Sequence, residues 1–282
     1  MSAFSFRDRM FFIVLGCSFL FVLPLMLANT PYVDDIYRSQ SGIIGWKGLG
    51  RPLAEVVMLL LNFNLTHYFI VDLSPLPLLI SALVLSLSVM HIIKYFDVKW
   101  DLRSVLPFLF LIFNPFFIHN LAYKFDCFPM SLGVAAAVFA FAYPFSKNWR
   151  SLAIPGVLIF ASLALYQPSA NVYVSLVFLS ILLGIASLSS LQQLLIQAMG
   201  KIGIFAAVYV AYYICFTIVG RFVKSSAGSS RSGLVSLDMS GFYDVCHNVR
   251  ELLLLVRSLY DGRLLVIALV VLLLAISGLV LM

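Results

Sequence analysis

Charged side chains are scarce in this sequence. They make up 11% of its 282 residues, whereas a soluble domain carries about 25%. Hydrophobic residues make up 62%, and a soluble fold of this size could not keep so much apolar surface away from water. This composition excludes a soluble globular enzyme, a disordered chain and a DNA-binding domain. It predicts an all-α polytopic membrane protein.

Several motifs that carry chemistry in other proteins are missing. The four cysteines follow no metal-ligand spacing and the four histidines are dispersed, so the sequence predicts no metal site and no cofactor. It contains no phosphate-binding loop and no dinucleotide fingerprint. The net charge of +6 comes from basic residues scattered among apolar runs. We therefore expect contacts with membrane lipids and none with nucleic acid.

Apolar runs about as long as a membrane-spanning helix, roughly 17–25 residues, occur eight times. We predict spans over 10–28, 73–96, 104–120, 129–146, 151–167, 170–188, 202–219 and 264–282. The fifth and sixth could instead form one re-entrant hairpin, because only the short segment 166–169 separates them. Almost no charge lies within the spans, which argues against a proton-coupled transporter.

The distribution of basic residues predicts the orientation. Arg7 and Arg9 precede the first span and indicate a cytoplasmic N-terminus. The short loops then carry eight basic residues on the cytoplasmic side and four on the outer side, as expected if basic residues concentrate in cytoplasmic loops. The long outer loop, 220–263, adds six more basic residues outside, so the total count opposes this expectation. We expect this loop and the first outer loop, 29–72, to belong to a single domain that covers 1–282.

The first outer loop combines acidic, basic and aromatic residues. Asp34 and Asp35 follow the first span directly, and adjacent carboxylates can raise each other's pKa so that one acts as a general base. Arg38 and Arg51 could hold a phosphate through charge-assisted hydrogen bonds, and Trp46 could stack on a sugar ring. The alternative is that the two aspartates form a solvated turn.

Two further segments hold candidate substrate-binding residues, each with a structural alternative. Lys124 could bind a phosphate and Asp126 could bind sugar hydroxyls, or their loop anchors the chain in the headgroup layer. Gln167 could bond a sugar hydroxyl, or it belongs to a polar break between two helices.

Two helices are predicted outside the spans. Pro52 suits the first turn of a short helix at the outer interface, and 242–260 reads as an amphipathic helix. Arg250 and Arg257 are seven residues apart and share a face of the second helix. These arginines could bind the phosphate of a donor or a diphosphate-linked acceptor, or simply the anionic headgroups of lipids.

The first outer loop resembles that of the serotype-converting O-antigen glucosyltransferases, the phage-type members of the GT-C superfamily. The resemblance rests on 31–38 (PYVDDIYR), 45–46 (GW) and 50–53 (GRPL) and, more loosely, on 122–126 (AYKFD) and 165–169 (LYQPS). It implies a metal-independent transfer of glucose from a polyprenyl-phosphate donor to lipid-linked O-antigen, at the periplasmic face of a bacterial inner membrane. It also implies that Asp34 or Asp35 is the general base, with Asp35 favoured.

The resemblance bears on length and leaves other functions open. Members of that family continue for further spans, so the chain could be a shortened member or a fragment.

A flippase or transporter of lipid-linked sugars would need a polar route through the spans, which look too apolar for one. An O-antigen polymerase-like enzyme would use a diphosphate-linked donor and a larger arginine-rich outer loop.

Overall fold

The computed structural model describes residues 6–65, 69–113, 115–146, 148–186, 190–222 and 239–259, with the isolated positions 262 and 266. Within these ranges the fold is helical, and extended pairing is limited to a single bridge between Ile43 and Phe69. The chain divides into two compact units, Met1–Ser225 and Ser226–Met282.

The first unit contains ten of the described α-helices, and the second unit contains one. They are α1 Phe6–Ala28, α2 Asp34–Ser41, α3 Pro52–Leu61, α4 Leu76–Tyr95, α5 Leu102–Val105, α6 Pro115–Ala122, α7 Cys127–Ala142, α8 Trp149–Leu165, α9 Ala170–Ala186, α10 Leu191–Phe222 and α11 Met239–Leu259. Short 3-10 helices cover Trp46–Leu49, Leu106–Leu111 and Gln167–Ser169.

Apolar helices confirm the membrane-protein class, but the predicted number of eight spans is not confirmed. Among the described residues, four helices are long and apolar enough to cross a membrane: Arg9–Ala28, Leu76–Tyr95, Gln167–Ile185 and Leu191–Phe216. Three shorter helices, α3, α7 and α8, are also apolar. The helix α10 runs for 32 residues and extends beyond the predicted span 202–219 at both ends.

The predicted span 104–120 is wrong as a single helix. The chain instead forms α5, then the 3-10 helix Leu106–Leu111, and then α6 from Pro115 onward. Pro107 and Pro115 each lack a backbone N–H and clash with the preceding turn, which disfavours one continuous helix across both positions. Apart from position 266, the predicted span 264–282 lies outside the described residues.

The helix α7 lies at the centre of the first unit. It packs on α4 and α8 and also contacts α9. A side chain at Gly133 would approach Ser169 Oγ to 2.9 Å, and Ser162 donates a hydrogen bond to the Gly133 carbonyl at 2.8 Å. Close approach at small residues and interhelical hydrogen bonds are typical of helices in lipid, where apolar burial alone does not drive association.

Polar contacts join further helices to this core. Ser86 of α4 donates to Ser18 of α1 at 2.9 Å. Lys201 of α10 is buried, and its Nζ donates to the Tyr95 hydroxyl and to the Phe141 carbonyl, each at 2.9 Å. These groups lie in the last turns of α4 and α7, where a helix dipole favours a cation.

The described helix of the second unit is α11. Its bounds, Met239–Leu259, confirm the helix that the sequence predicted over 242–260. Arg250 and Arg257 are both exposed, and so are Leu252 and Leu253. The helix therefore carries both charged and apolar surface.

Candidate active site

Three loops meet at one end of the first unit. They are the segment 29–75 between α1 and α4, the segment 123–126 between α6 and α7, and the turn 166–169 between α8 and α9. Hydrogen bonds join the first segment to each of the other two, from Arg38 to Asp126 and from Arg51 to Gln167. The sequence predicted these segments on one side of the membrane, and the structure brings them together.

The carboxylate of Asp126 is the centre of this arrangement. It accepts hydrogen bonds from Arg38 Nη1 and from Trp46 Nε1, each at 2.5 Å, and Arg51 Nη1 lies 3.6 Å away. The Arg38 guanidinium also lies 4.5 Å from the centre of the Trp46 ring. Asp126, Arg38 and Trp46 are all buried, so the charges of Asp126 and Arg38 compensate each other out of contact with water.

Asp35 is also buried, and backbone groups surround its carboxylate. It accepts hydrogen bonds from the N–H groups of Lys124 at 2.8 Å, Tyr32 at 3.2 Å and Phe125 at 3.4 Å. Burial raises the pKa of Asp35 above its ordinary value, although these three hydrogen bonds oppose the rise, and the charge of Asp126 adds to it. Asp35 thus connects the first outer loop to the 123–126 segment.

Asp34 has different surroundings from its neighbour. Its side chain is half-buried, and no group of the described residues donates a hydrogen bond or forms an ion pair to its carboxylate. Its charge acts on Tyr123, whose pKa is raised first by burial and then by Asp34. Tyr123 packs edge-to-face on Tyr32, with 5.0 Å between ring centres. Of the two adjacent carboxylates, Asp34 is the more exposed one, and Asp35 is the one that backbone N–H groups surround.

The backbone is strained immediately before these aspartates. Val33 precedes α2 with φ of 46° and ψ of −107°, and a positive φ is a clear outlier for a β-branched residue. Strain of this kind is found at functional sites, where the surrounding contacts maintain it. Here the hydrogen bonds of Asp35 hold the chain on both sides of Val33, and Asp34 begins the helix.

Arg51 and Gln167 join the first outer loop to the 166–169 turn. Arg51 Nε donates to Gln167 Oε1 at 3.2 Å, and the guanidinium lies 4.6 Å from the centre of the Tyr166 ring. Gln167 Nε2 donates to the Leu49 carbonyl at 2.9 Å and to the Tyr212 hydroxyl at 3.0 Å. The side chain of Arg51 is 20% exposed, so it is oriented by neighbours and still reaches the surface.

Gly50 allows this close packing. Its φ of +76° lies in the left-handed region, and a Cβ atom there would come within 2.8 Å of both Gln167 Nε2 and Tyr212 Oη. Tyr212 also donates a hydrogen bond to the Gly50 carbonyl. Pro52 then occupies the first turn of α3, where its missing N–H has no cost. The sequence Gly50-Arg51-Pro52 therefore sets the position of Arg51.

The ammonium group of Lys124 has two partners in the segment between α1 and α4. Its Nζ donates to Asn29 Oδ1 at 2.8 Å and to Asp72 Oδ2 at 3.0 Å. Asn29 follows α1 and Asp72 precedes α4. Lys124 therefore connects the two ends of the first outer loop.

Residues 23–282 match the family described as Glucosyl transferase GtrII. The chain belongs to this family. It is also 28% identical over 260 residues to a protein of Salmonella phage P22 described as "Uncharacterized 55.3 kDa protein in gtrB 5'region". That similarity covers 92% of this chain and 53% of the phage protein, so the chain spans about half the length of this curated relative. No solved structure matches the chain.

Membership of the GtrII family confirms the resemblance that the first outer loop suggested. In this GtrII-family chain, eight of the ten predicted site residues lie together in the first unit: Asp34, Asp35, Arg38, Trp46, Arg51, Lys124, Asp126 and Gln167. The other two, Arg250 and Arg257, lie on α11 of the second unit.

Sequence reasoning missed several residues that build this candidate site. Tyr212 lies within an apolar helix, where one tyrosine gives no signal. Glu55 is buried in α3, accepts a hydrogen bond from the Lys47 N–H at 3.3 Å and pairs with Lys47 Nζ at 2.8 Å. An acidic residue in a short apolar helix was the available signal for Glu55. Asp72 gave none beyond its position near a span end, and Tyr123 gave none beyond its place in the 122–126 segment.

Proposed function

We propose that this protein transfers a glucosyl group from a polyprenyl-phosphate donor to a hydroxyl group of lipid-linked O-antigen. The reaction would take place at the periplasmic face of a bacterial inner membrane. Family membership supports glucosyl transfer, and the apolar helices support a membrane location. The donor, acceptor and membrane face rest on the resemblance of the first outer loop to serotype-converting transferases.

The observation that carries the proposed mechanism is the difference between Asp34 and Asp35. Asp35 is buried, and its carboxylate accepts three backbone N–H groups. Asp34 is half-buried, and its carboxylate has no donor among the described residues. A general base must reach the proton that it removes, so we assign the base to Asp34 and a positioning role to Asp35. This assignment differs from the preference for Asp35 that the resemblance implied.

The proposed reaction is a single displacement. Asp34 takes the proton of the acceptor hydroxyl while the hydroxyl oxygen forms a bond to the anomeric carbon of glucose. The bond between that carbon and the phosphate oxygen breaks, and polyprenyl phosphate leaves with the electron pair. This displacement inverts the anomeric centre. General-base catalysis of such a step contributes about 10²–10⁴-fold in rate.

The other candidate residues of the first unit form two groups that differ in solvent exposure, and we propose a different role for each group. Arg38, Trp46 and Asp126 are buried against each other, so their proposed role is to hold the first outer loop in place. Arg51 remains partly exposed on Tyr166, and we propose that it contacts the transferred sugar, together with Gln167. Gln167, Tyr166 and Asp126 fix the orientation of this guanidinium, so its remaining N–H donors are presented in a rigid, planar arrangement.

The two arginines of α11 have a more general proposed role. Arg250 and Arg257 are exposed on a helix that also exposes leucines. Such a helix suits the membrane interface. We propose that its arginines contact phosphate groups, either of a lipid-linked substrate or of anionic lipids.

Membranes that contain the protein, supplied with polyprenyl-phosphoglucose and lipid-linked O-antigen, test this function. The expected result is O-antigen that gains the mass of one glucosyl unit per modified repeat, measured by mass spectrometry. Matched membranes without the protein serve as the control. An O-antigen polymerase would lengthen the chain instead, and a flippase would move the donor without forming a new bond. Either of these results, or no gain in mass, would overturn the proposal.

A further inference from the structure

A cavity of about 250 Å³ lies at the C-terminal ends of α1 and α6 and the N-terminal end of α4, next to the start of α7. We term it the Lys124 pocket. Its apolar wall comes from the last turn of α1 and the first turn of α4, as at Leu25 and Leu78, and from the last turn of α6. Its polar wall comes from Asn29, Ser74 and Lys124. The pocket therefore combines an apolar lining with one cation.

Lys124, the cation of this pocket, already forms an ion pair with Asp72 of the same chain. Lys124 Nζ bonds to Asn29 and Asp72 at 2.8 and 3.0 Å. The side chain of Asp72 is 32% exposed, compared with 12% for Lys124, so the carboxylate can turn to water more readily than the ammonium group. Asp72 also accepts a hydrogen bond from the Ser74 N–H at 2.8 Å. Its carboxylate would therefore still have one hydrogen-bond donor if Lys124 bound another anion.

We propose that the Lys124 pocket binds the phosphate and first isoprenyl part of the polyprenyl-phosphate donor, and that Asp72 is the internal anion that this phosphate displaces from Lys124. The inference rests on the proposed function for the identity of the donor. It adds the place where the lipid head binds and a residue that competes with it. Lys124 can form charge-assisted hydrogen bonds with a phosphate as it does with a carboxylate, and its partly exposed ion pair with Asp72 contributes little stability that would be lost on exchange.

The size of the pocket fits only the head of such a lipid. Whole-ligand pockets usually measure about 300–1,000 Å³, and this cavity is smaller, at about 250 Å³. The part of its apolar wall that α1 and α4 supply belongs to helices that are long and apolar enough to span a membrane. A long prenyl chain would therefore extend from the pocket into surrounding lipid, while its phosphate stays at Lys124.

The pocket is also connected to the proposed base. Tyr32 and Lys124 both line it, and their backbone N–H groups both donate to the carboxylate of Asp35. Asp34 is the next residue before Asp35 and begins α2. A donor phosphate at Lys124 would thus bind to the same group of contacts that positions Asp34.

Binding of polyprenyl monophosphate, without sugar or acceptor, tests the inference. The measurement is the dissociation constant of the purified full chain in lipid nanodiscs, by native mass spectrometry. We expect Lys124→Gln to weaken binding about tenfold or more, because a charge-assisted hydrogen bond is lost. We expect Asp72→Asn to strengthen binding severalfold, because the internal competitor loses its charge. Unchanged binding by Lys124→Gln, or weaker binding by Asp72→Asn, would overturn the proposal.

Matched controls exclude a general effect on charge or folding. Lys94→Gln removes an exposed lysine from the other end of α4 and should bind the lipid as the wild type does. Lys124→Arg should retain most of the binding, which shows that loss in Lys124→Gln is not misfolding. Polyprenol, which lacks the phosphate, should bind weakly and equally to the wild type and Lys124→Gln.

Competition identifies the source of the phosphate group. An excess of phosphatidylglycerol should leave the binding of polyprenyl monophosphate unchanged, whereas equal displacement would overturn the proposal in favour of a general headgroup site. The assay needs no glucosyl transfer, so its failure is distinguishable from failure of the proposed function. Normal transfer with unchanged binding in Lys124→Gln would reject the pocket alone. Lysine-dependent binding without transfer by the wild type would reject the transferase function alone.

Discussion

Trp46 donates its indole N–H to the carboxylate of Asp126 at 2.5 Å, although 80 residues separate them in the sequence. Both side chains are buried, and Arg38 binds the same carboxylate while it lies on the Trp46 ring. These buried contacts therefore fix the first outer loop to the 123–126 segment. A change at Asp126 should affect the whole loop that carries the proposed base.

Replacement of Asp126 by Asn should strongly destabilise the protein. Arg38 would then be a buried cation without a charged partner, and removal of one partner of a buried ion pair costs about 3–5 kcal/mol. The measurement is thermal unfolding of the purified protein in detergent. Asp34→Asn is the matched control, since its half-buried carboxylate has no donor among the described residues. Equal melting temperatures for Asp126→Asn and the wild type would refute the role given to Asp126.

Gly50→Ala should displace Arg51 and lower glucosyl transfer. The left-handed backbone costs an L-residue about 1–2 kcal/mol, and the new Cβ atom would lie 2.8 Å from Gln167 Nε2 and Tyr212 Oη. Gly203→Ala in α10 is the matched control, because a Cβ atom there meets nothing within 4 Å. We expect transfer by Gly203→Ala to equal that of the wild type. Equal transfer by Gly50→Ala would show that the packing around Arg51 is not needed.

The Lys124–Asp72 ion pair should give a pH-dependent contribution to stability. Burial raises the pKa of Asp72, but hydrogen bonds from Ser74 and Lys124 outweigh it, and the pKa is lowered overall. The stabilisation is therefore present above the ordinary aspartate pKa of about 3.9 and is lost as the pH falls through the lowered pKa. It should amount to about 1 kcal/mol or less, since the pair is partly exposed.

Thermal unfolding of the wild type and Asp72→Asn at several pH values checks this expectation. The wild type should melt at a higher temperature near neutral pH, and the difference should disappear in acid. A difference that is constant with pH would mean that Asp72 stabilises the loop by packing and not by its charge.

The meeting of the outer loops was predictable from the sequence, because helices that cross a membrane return every second loop to the same side. Asp34, Arg51 and Gln167 were singled out on this basis together with their chemistry. The break in the predicted span 104–120 was signalled by Pro107 and Pro115, but the high hydrophobicity of the segment outweighed that signal. Length and hydrophobicity alone do not determine whether an apolar segment forms one helix.

The different environments of Asp34 and Asp35 could not be predicted. The donors to Asp35 include backbone N–H groups of Lys124 and Phe125, about 90 residues further along the chain. Backbone donors carry no sequence signal. The same limit applies to Asp126, which was predicted to bind sugar hydroxyls. Its position between Arg38, Trp46 and Arg51 depends on a fold that brings separate loops together.

The rate of glucosyl transfer by Asp34→Asn, per folded molecule, tests the central claim most directly. The assay uses purified protein with polyprenyl-phosphoglucose and lipid-linked O-antigen, and thermal unfolding confirms that the variant is folded. The account predicts a fall of about 100-fold or more, as expected for loss of a general base, with a melting temperature equal to that of the wild type. Transfer by folded Asp34→Asn at the wild-type rate would contradict it.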